Sequence, residues 1–133
     1  MTAGDGEKEW IFEGSIMEIM SRDRGLHPTQ KPVELFEKLI RTYTDEGNLV
    51  LDNTAGSGTT AIACLNTNRQ FIVMEKEQKY YDIILKRVAD FIKMSEGKKE
   101  ILLGDCLELM KDIPSGSIDM ILADLPYWQK NRY

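Results

Sequence analysis

A chain of 133 residues, 42% hydrophobic and 29% charged, is long enough for one domain with a core and short for a complete doubly wound enzyme. No apolar run reaches the length of a membrane span, and the polar, acidic start MTAGDGEKEW resembles neither a signal nor a transit peptide, so a cytoplasmic protein is expected. A formal net charge of -5 argues against strong sequence-independent nucleic-acid binding, which comes largely from Lys and Arg facing phosphates. A local basic face is still possible at Arg22, Arg24, His27 and Lys31, or at Lys98, Lys99, Lys130 and Arg132.

Residues 1–14 read as a loosely ordered tail in which only Trp10, Ile11 and Phe12 look able to dock, and residues 15–31 as an irregular connector. Pro32 suits the first turn of a helix, and Val33, Leu35, Phe36, Leu39 and Ile40 recur at helical spacing until Thr44 or Asp45, where Gly47 and Asn48 stop it. NLVLD, residues 48–52, reads as a buried strand, and residues 59–65 as a helix turning Ala61, Ile62 and Cys64 inward. QFIVME is a second strand, and from Gln78 a long helix runs through Tyr81, Ile84, Leu85, Val88 and Phe91 to about Lys93.

The polar stretch MSEGKK, residues 94–99, reads as a linker; EILLGD then forms a third strand and residues 107–110 a short helix. A turn around Pro114 and Gly116 leads to a fourth strand over residues 118–123. Strands alternating with helices imply an α/β fold with a mostly parallel sheet and right-handed crossovers. Cys64 and Cys106 sit in apolar patterns and share no metal-ligand spacing, so both are expected to be reduced core thiols and no metal site is expected.

The first strand opens into LDNTAGSGTT, residues 51–60, a turn that presents backbone N–H groups to a ligand. A phosphate loop needs GxxxxGK, and no lysine lies near Gly58. A dinucleotide turn fits better, with Gly56, Gly58 and Ala61 matching GxGxxG/A and Glu75 downstream for ribose hydroxyls. S-adenosylmethionine is held by the same kind of turn and acid. Ligands in such sheets bind beyond the carboxyl ends of the strands, which are marked here by Asp52, Glu75, Asp105 and Asp124.

HPTQKP at 27–32 and DLPY at 124–127, taken with DNTAGSGTT, favour the last reading. Together they resemble the amino-methylating DNA methyltransferases, which transfer a methyl group from S-adenosylmethionine to the exocyclic amine of adenine or cytosine; adenine is favoured here. The resemblance covers roughly residues 15–128 and implies a partial Rossmann-like fold with strand order 3-2-1-4 and flanking helices. Residues 15–93 look like the cofactor-binding half and residues 100–133 like the catalytic half of a single domain, 1–133, joined by the linker at 94–99. By that resemblance Asp52, Gly56, Ser57, Gly58 and Thr59 would surround the methionine portion of the cofactor, Glu75 would accept from the ribose hydroxyls, and Asp105 would lie near the adenine amine. His27, Thr29 and Lys31 would close over the methionine carboxylate.

The chemistry of an exocyclic amine explains DLPY in its own right, because its lone pair is delocalised into the ring and makes it a poor nucleophile. Asp124 and the carbonyl of Pro126 can accept both amine hydrogens and favour a pyramidal nitrogen, and Tyr127 can stack on a base swung out of the helix.

In the subgroup these motifs most resemble, the catalytic half comes first; here the cofactor half leads, and MSEGKKEILLGD from Met94 reads like an original amino terminus. The chain is therefore expected to be circularly permuted and truncated soon after Tyr127, without a target-recognition region. An enzyme core acting on DNA and a noncatalytic S-adenosylmethionine-binding fragment are the two expectations, with a nicotinamide-linked oxidoreductase third. No membrane partner is expected. A fourth strand that is apolar on both faces, with nothing after it to cover its edge, predicts a homodimer formed by pairing of that edge.

Overall fold

The computed structural model describes residues 32–92 and 97–123. Pro32, extended at φ -62° and ψ 135°, leads into helix α1, Val33–Tyr43. Phe36 and Ile40, one turn apart, are its buried pair. The helix ends at Thr44, whose extended backbone still donates its N–H to Ile40 O at 3.0 Å, while its hydroxyl donates to the same carbonyl at 2.6 Å.

Strand β1, Leu49–Asp52, is buried at every position, as its uninterrupted apolar run requires of a central parallel strand. Helix α2, Thr59–Asn66, follows the turn; strand β2, Gln70–Glu75, and helix α3, Gln78–Ile92, come next. Strand β3, Lys99–Leu103, leads to a short helix α4, Cys106–Leu109, and a 3-10 turn, Met110–Asp112. Strand β4, Met120–Ile121, closes the described chain. The sheet order is β3-β2-β1-β4 with every pair parallel, the order and fold class expected from the motifs.

Alternation of side chains divides the core into two layers. Val50, Phe71 and Val73 pack with Phe36, Ile40, Ala61, Cys64, Ile84 and Val88 on the face covered by α1, α2 and α3. Leu49, Leu51, Ile72 and Met74 face the other way, against Leu109, Met110, Ile113 and Ile118. The parallel register pairs Val50 with Phe71 and Leu51 with Ile72, which keeps each layer continuous.

Five sequence expectations need correction. The apolar stretch 118–123 pairs only at Met120 and Ile121, opposite Val50 and Leu51. Asp119 N–H donates to Leu49 O at 2.9 Å and Leu122 N–H to Leu51 O at 2.8 Å, and past that point β1 bends into its turn and offers no further ladder. In α3, Ile84 and Val88 are buried but Leu85 and Phe91 are 40% and 46% exposed, since a helix on one sheet face buries a single stripe. In α2 the buried set is Ala61, Ala63 and Cys64, with Ile62 half-buried. Cys64 is buried, whereas Cys106 is only half-buried at the start of α4. The expected linker is shorter at its end, because Lys99 is already in β3; residues 93–96, the tail 1–14 and the connector 15–31 lie outside the described residues.

Candidate cofactor-binding site

The carboxyl ends of β1, β2 and β3 each end near an acid, and the fold treats the three acids differently. Asp52 is 1% exposed. Its Oδ1 accepts from Thr54 N–H at 2.9 Å and its Oδ2 from the Thr60 hydroxyl at 2.6 Å. The carboxylate thus ties the end of β1 to the first turn of α2, and such charge-assisted bonds to a buried acid are the strong kind.

Beyond Asp52 the chain makes a tight turn. Gly58 N–H donates to Ala55 O at 2.9 Å, with φ 56° at Gly56 and a negative φ at Ser57, the pattern of a type II′ turn that favours glycine at its first central position. Ala55 N–H donates to Met74 O at 2.9 Å and anchors the turn on β2. A Cβ built at Gly56 would meet nothing within 4 Å, so this glycine borders open space. Gly58 differs: at φ 90° its Cβ would stand 2.9 Å from Ile84 Cγ1 of α3. Its missing side chain lets α2 and α3 approach each other.

Glu75 lies beside this turn, nearly buried. Its Oε1 accepts from Gly56 N–H at 2.9 Å and its Oε2 from Glu77 N–H at 2.7 Å. A carboxylate offers about four lone-pair sites, so both oxygens keep acceptor capacity. Asp105, by contrast, is exposed and caps α4, accepting from Leu107 N–H at 2.8 Å. Gly104 N–H donates to Glu75 O at 2.9 Å, holding the end of β3 against that of β2.

Three residues to which sequence reasoning gave no role, Asn53, Thr54 and Arg87, belong to this edge. Asn53 Nδ2 donates to Cys106 Sγ at 3.8 Å, linking the end of β1 to α4, while Asn53 Oδ1 and Thr54 Oγ1 are buried without a partner among the described residues. Arg87 of α3 donates from Nη1 to Ser57 O at 2.7 Å. Asn53 and Thr54 stand inside the DNTAGSGTT run, whose reading rests on its acid, glycines and later hydroxyls, and Arg87 has no readable signal, since it stands far along the chain from the glycine turn. The described edge is therefore rich in acceptors, and Gly58, the residue at the N-cap of α2, adds no side-chain cap. Such an edge suits a ligand that carries several donors and a positive charge.

The structure brings Asp52, Gly56, Ser57, Gly58, Thr59, Glu75 and Asp105 to one edge of the sheet. His27, Thr29, Lys31, Asp124, Pro126 and Tyr127 lie outside the described residues. Residues 2–86 match the model of a DNA methylase family, the N6/N4 methyltransferases. The chain belongs to this family.

Type II methyltransferase M2.DpnII of Streptococcus pneumoniae is 38% identical over 78 residues, covering 59% of this chain and 29% of that protein. Type II methyltransferase M.HindIII of Haemophilus influenzae is 46% identical over 70 residues, covering 53% and 23% respectively. The chain thus spans less than a third of the length of either relative. Among solved structures, TrmN from Thermus thermophilus aligns with a TM-score of 0.58 at 23% identity, over 73% of this chain and 29% of that one. The O-methyltransferase TomG from Streptomyces achromogenes, crystallised with SAM, aligns with a TM-score of 0.59 at 16% identity, over 83% and 52%. These structural likenesses speak to the fold, which is that of Rossmann-like methyltransferases.

Proposed function

We propose that this N6/N4 methylase chain binds S-adenosylmethionine across the carboxyl ends of β1, β2 and β3 and contributes that site to methylation of an exocyclic amine on a DNA base, adenine before cytosine. The observation that carries the reading is the glycine turn at 55–58 next to nearly buried Glu75, with Gly56 facing open space. When bound, the cofactor supplies an electrophilic methyl group on a sulfonium. The residues fit such a group: its hydroxyls, amines and positive charge call for acceptors, and Glu75, Asp105, Asn53 Oδ1 and Thr54 Oγ1 are acceptors with capacity to spare.

Glu75 would take the ribose hydroxyls and Asp105 the adenine amine. Asp52 has both oxygens engaged within the chain and would act by holding the turn and α2 in place, beside Ser57 and Thr59. Gly56 would allow the close backbone approach, and Gly58 would serve by admitting α3 behind it. From their place in the sequence, His27, Thr29 and Lys31 would close over the methionine carboxylate, Asp124 and the Pro126 carbonyl would accept the two amine hydrogens of the target, and Tyr127 would stack on the base.

Calorimetric titration with S-adenosylmethionine and transfer of labelled methyl to DNA test the reading in two stages. Binding with transfer supports the whole. Binding without transfer supports the second reading, a noncatalytic S-adenosylmethionine-binding fragment. Absence of binding sinks both. Where transfer is seen, Asp124→Ala should abolish it and leave cofactor affinity within about tenfold. Pairing of two copies through β4 is proposed from the edge position of that strand among the described residues and the 65% exposure of Ile121.

A further inference from the structure

Arg87 lies on α3, outside every motif that defines the site, and its half-buried guanidinium reaches the middle of the glycine turn. The Ser57–Gly58 peptide unit is fastened at both ends. Its N–H closes the turn on Ala55 O at 2.9 Å, and its carbonyl accepts from Arg87 Nη1 at 2.7 Å. A type II′ turn closes through that N–H alone and leaves the carbonyl of its second central residue unassigned, so Arg87 supplies the restraint that the turn lacks. The cationic donor also polarises the peptide, which strengthens its N–H as a donor to Ala55. Helix α2 begins immediately after Gly58, so the orientation of this one peptide sets the direction in which the first turn of α2 presents its N–H groups. The same turn presents Gly56 N–H to Glu75 at 2.9 Å, so a loosened turn also loosens the acid.

Burial lowers the Arg87 pKa from the ordinary arginine value, because the guanidinium loses water on that side. A side chain placed against this cost and bonded to a backbone carbonyl is restraining the backbone.

We propose that Arg87 is a positioning residue of the cofactor site: by holding the Ser57 carbonyl it keeps the 55–58 turn and the start of α2 in the binding conformation. The inference rests on the S-adenosylmethionine reading above. Without the restraint, the competent turn becomes a fraction of the population and apparent affinity falls in proportion.

The test titrates S-adenosylhomocysteine into the unsubstituted chain, Arg87→Met and Arg87→Lys, each well below its own thermal midpoint. Arg87→Met should bind about 5- to 20-fold more weakly, and Arg87→Lys, which keeps a charged donor, should return to within about threefold of the parent. Hydrogen exchange separates positioning from general destabilisation. In Arg87→Met the Gly58 amide should lose protection while that of Val73, in the centre of the sheet, keeps it. Parental affinity in Arg87→Met, or equal weakness of the Met and Lys variants, overturns the proposal and leaves the cofactor reading standing. Failure of the parent chain to bind overturns the cofactor reading and this proposal with it.

Discussion

On one face of the sheet Val50, Phe71 and Val73 are completely buried beneath α1, α2 and α3, whereas on the other Ile121 remains 65% exposed beside Leu51, which is 4% exposed. The two faces draw on the same alternating strands and differ in what returns over them. Three helices of 8 to 15 residues cover the first face; among the described residues the second has only the four residues of α4 and the 3-10 turn after it. The strand-end acids differ as well. Asp52 and Glu75 continue the alternation of Val50 and of Phe71 and Val73, toward the well-covered face, and both oxygens of each accept hydrogen bonds; Asp105, past the end of β3 at the N-cap of α4, is exposed with a capping bond. Burial separates the acids that end buried strands from the one that caps a short helix.

The largest expected effect breaks the rigid side at its centre. Asp52→Ala leaves Thr54 N–H and the Thr60 hydroxyl without their acceptor, and should cost about 2–4 kcal/mol in denaturant unfolding. Asp105→Ala, at the exposed cap of α4, should cost only about 0.5–2 kcal/mol, the value of a helix cap. Equal losses would show that burial does not control the worth of these acids.

The two glycines of the turn give a closer contrast within the rigid side. Gly58→Ala puts a Cβ 2.9 Å from Ile84 Cγ1 at φ 90°, and should lose about 2–4 kcal/mol from left-handed strain and overpacking together. Gly56→Ala meets no neighbour and should lose about 1–2 kcal/mol from strain alone, while weakening cofactor binding more than stability. In a double-mutant cycle, Ile84→Ala should recover part of the Gly58→Ala loss and none of the Gly56→Ala loss.

Glu75→Ala is the site prediction on the same side. Loss of a charged acceptor should reduce S-adenosylmethionine affinity by about 1.5–3 kcal/mol in calorimetry.

The cysteines report coverage by chemistry. Burial, with Asp52 nearby as a lesser cause, pushes the Cys64 thiol from 9.0 up to about 12, so the folded chain holds that proton more tightly than the unfolded chain. Its contribution to stability is full below pH 9.0 and is lost as pH rises toward about 12. Cys64→Ala should show a shallower alkaline loss of stability than the parent. At pH 8, alkylation of the folded chain should label half-buried Cys106 and spare Cys64.

The smallest effect lies on the thin face itself. Ile121→Lys should change unfolding free energy by about 0.5 kcal/mol or less, as at an exposed site. If two copies pair through β4, the same substitution should lower the mass seen by light scattering at micromolar concentration, and a chain that is monomeric before substitution ends that idea.

Much of this architecture is legible in the residues because apolar runs and their stops are local signals. QFIVME ends at Glu75 as read, and LVLD at Asp52, since four-residue and six-residue buried strands leave little choice of boundary. The stretch 118–123 misled because an apolar run does not show where its ladder partners are: only Met120 and Ile121 pair, opposite Val50 and Leu51. Leu85 and Phe91 misled because their helical spacing is compatible with a stripe wider than the one the sheet covers.

By itself the sequence determined the alternation of strands and helices, the acids at their carboxyl ends and the glycine turn between β1 and α2, all of which arise from neighbours in the chain. Only the tertiary structure decided that Gly56 faces open space while Gly58 faces Ile84, that Asp52 and Glu75 are fastened where Asp105 is exposed, and that Arg87 holds the Ser57 carbonyl. Those distinctions depend on the angle at which α3 returns across the sheet. That angle is set by the packing of Ile84 and Val88 against α2 and β2, a sum of contacts between residues distant in sequence that no local pattern encodes.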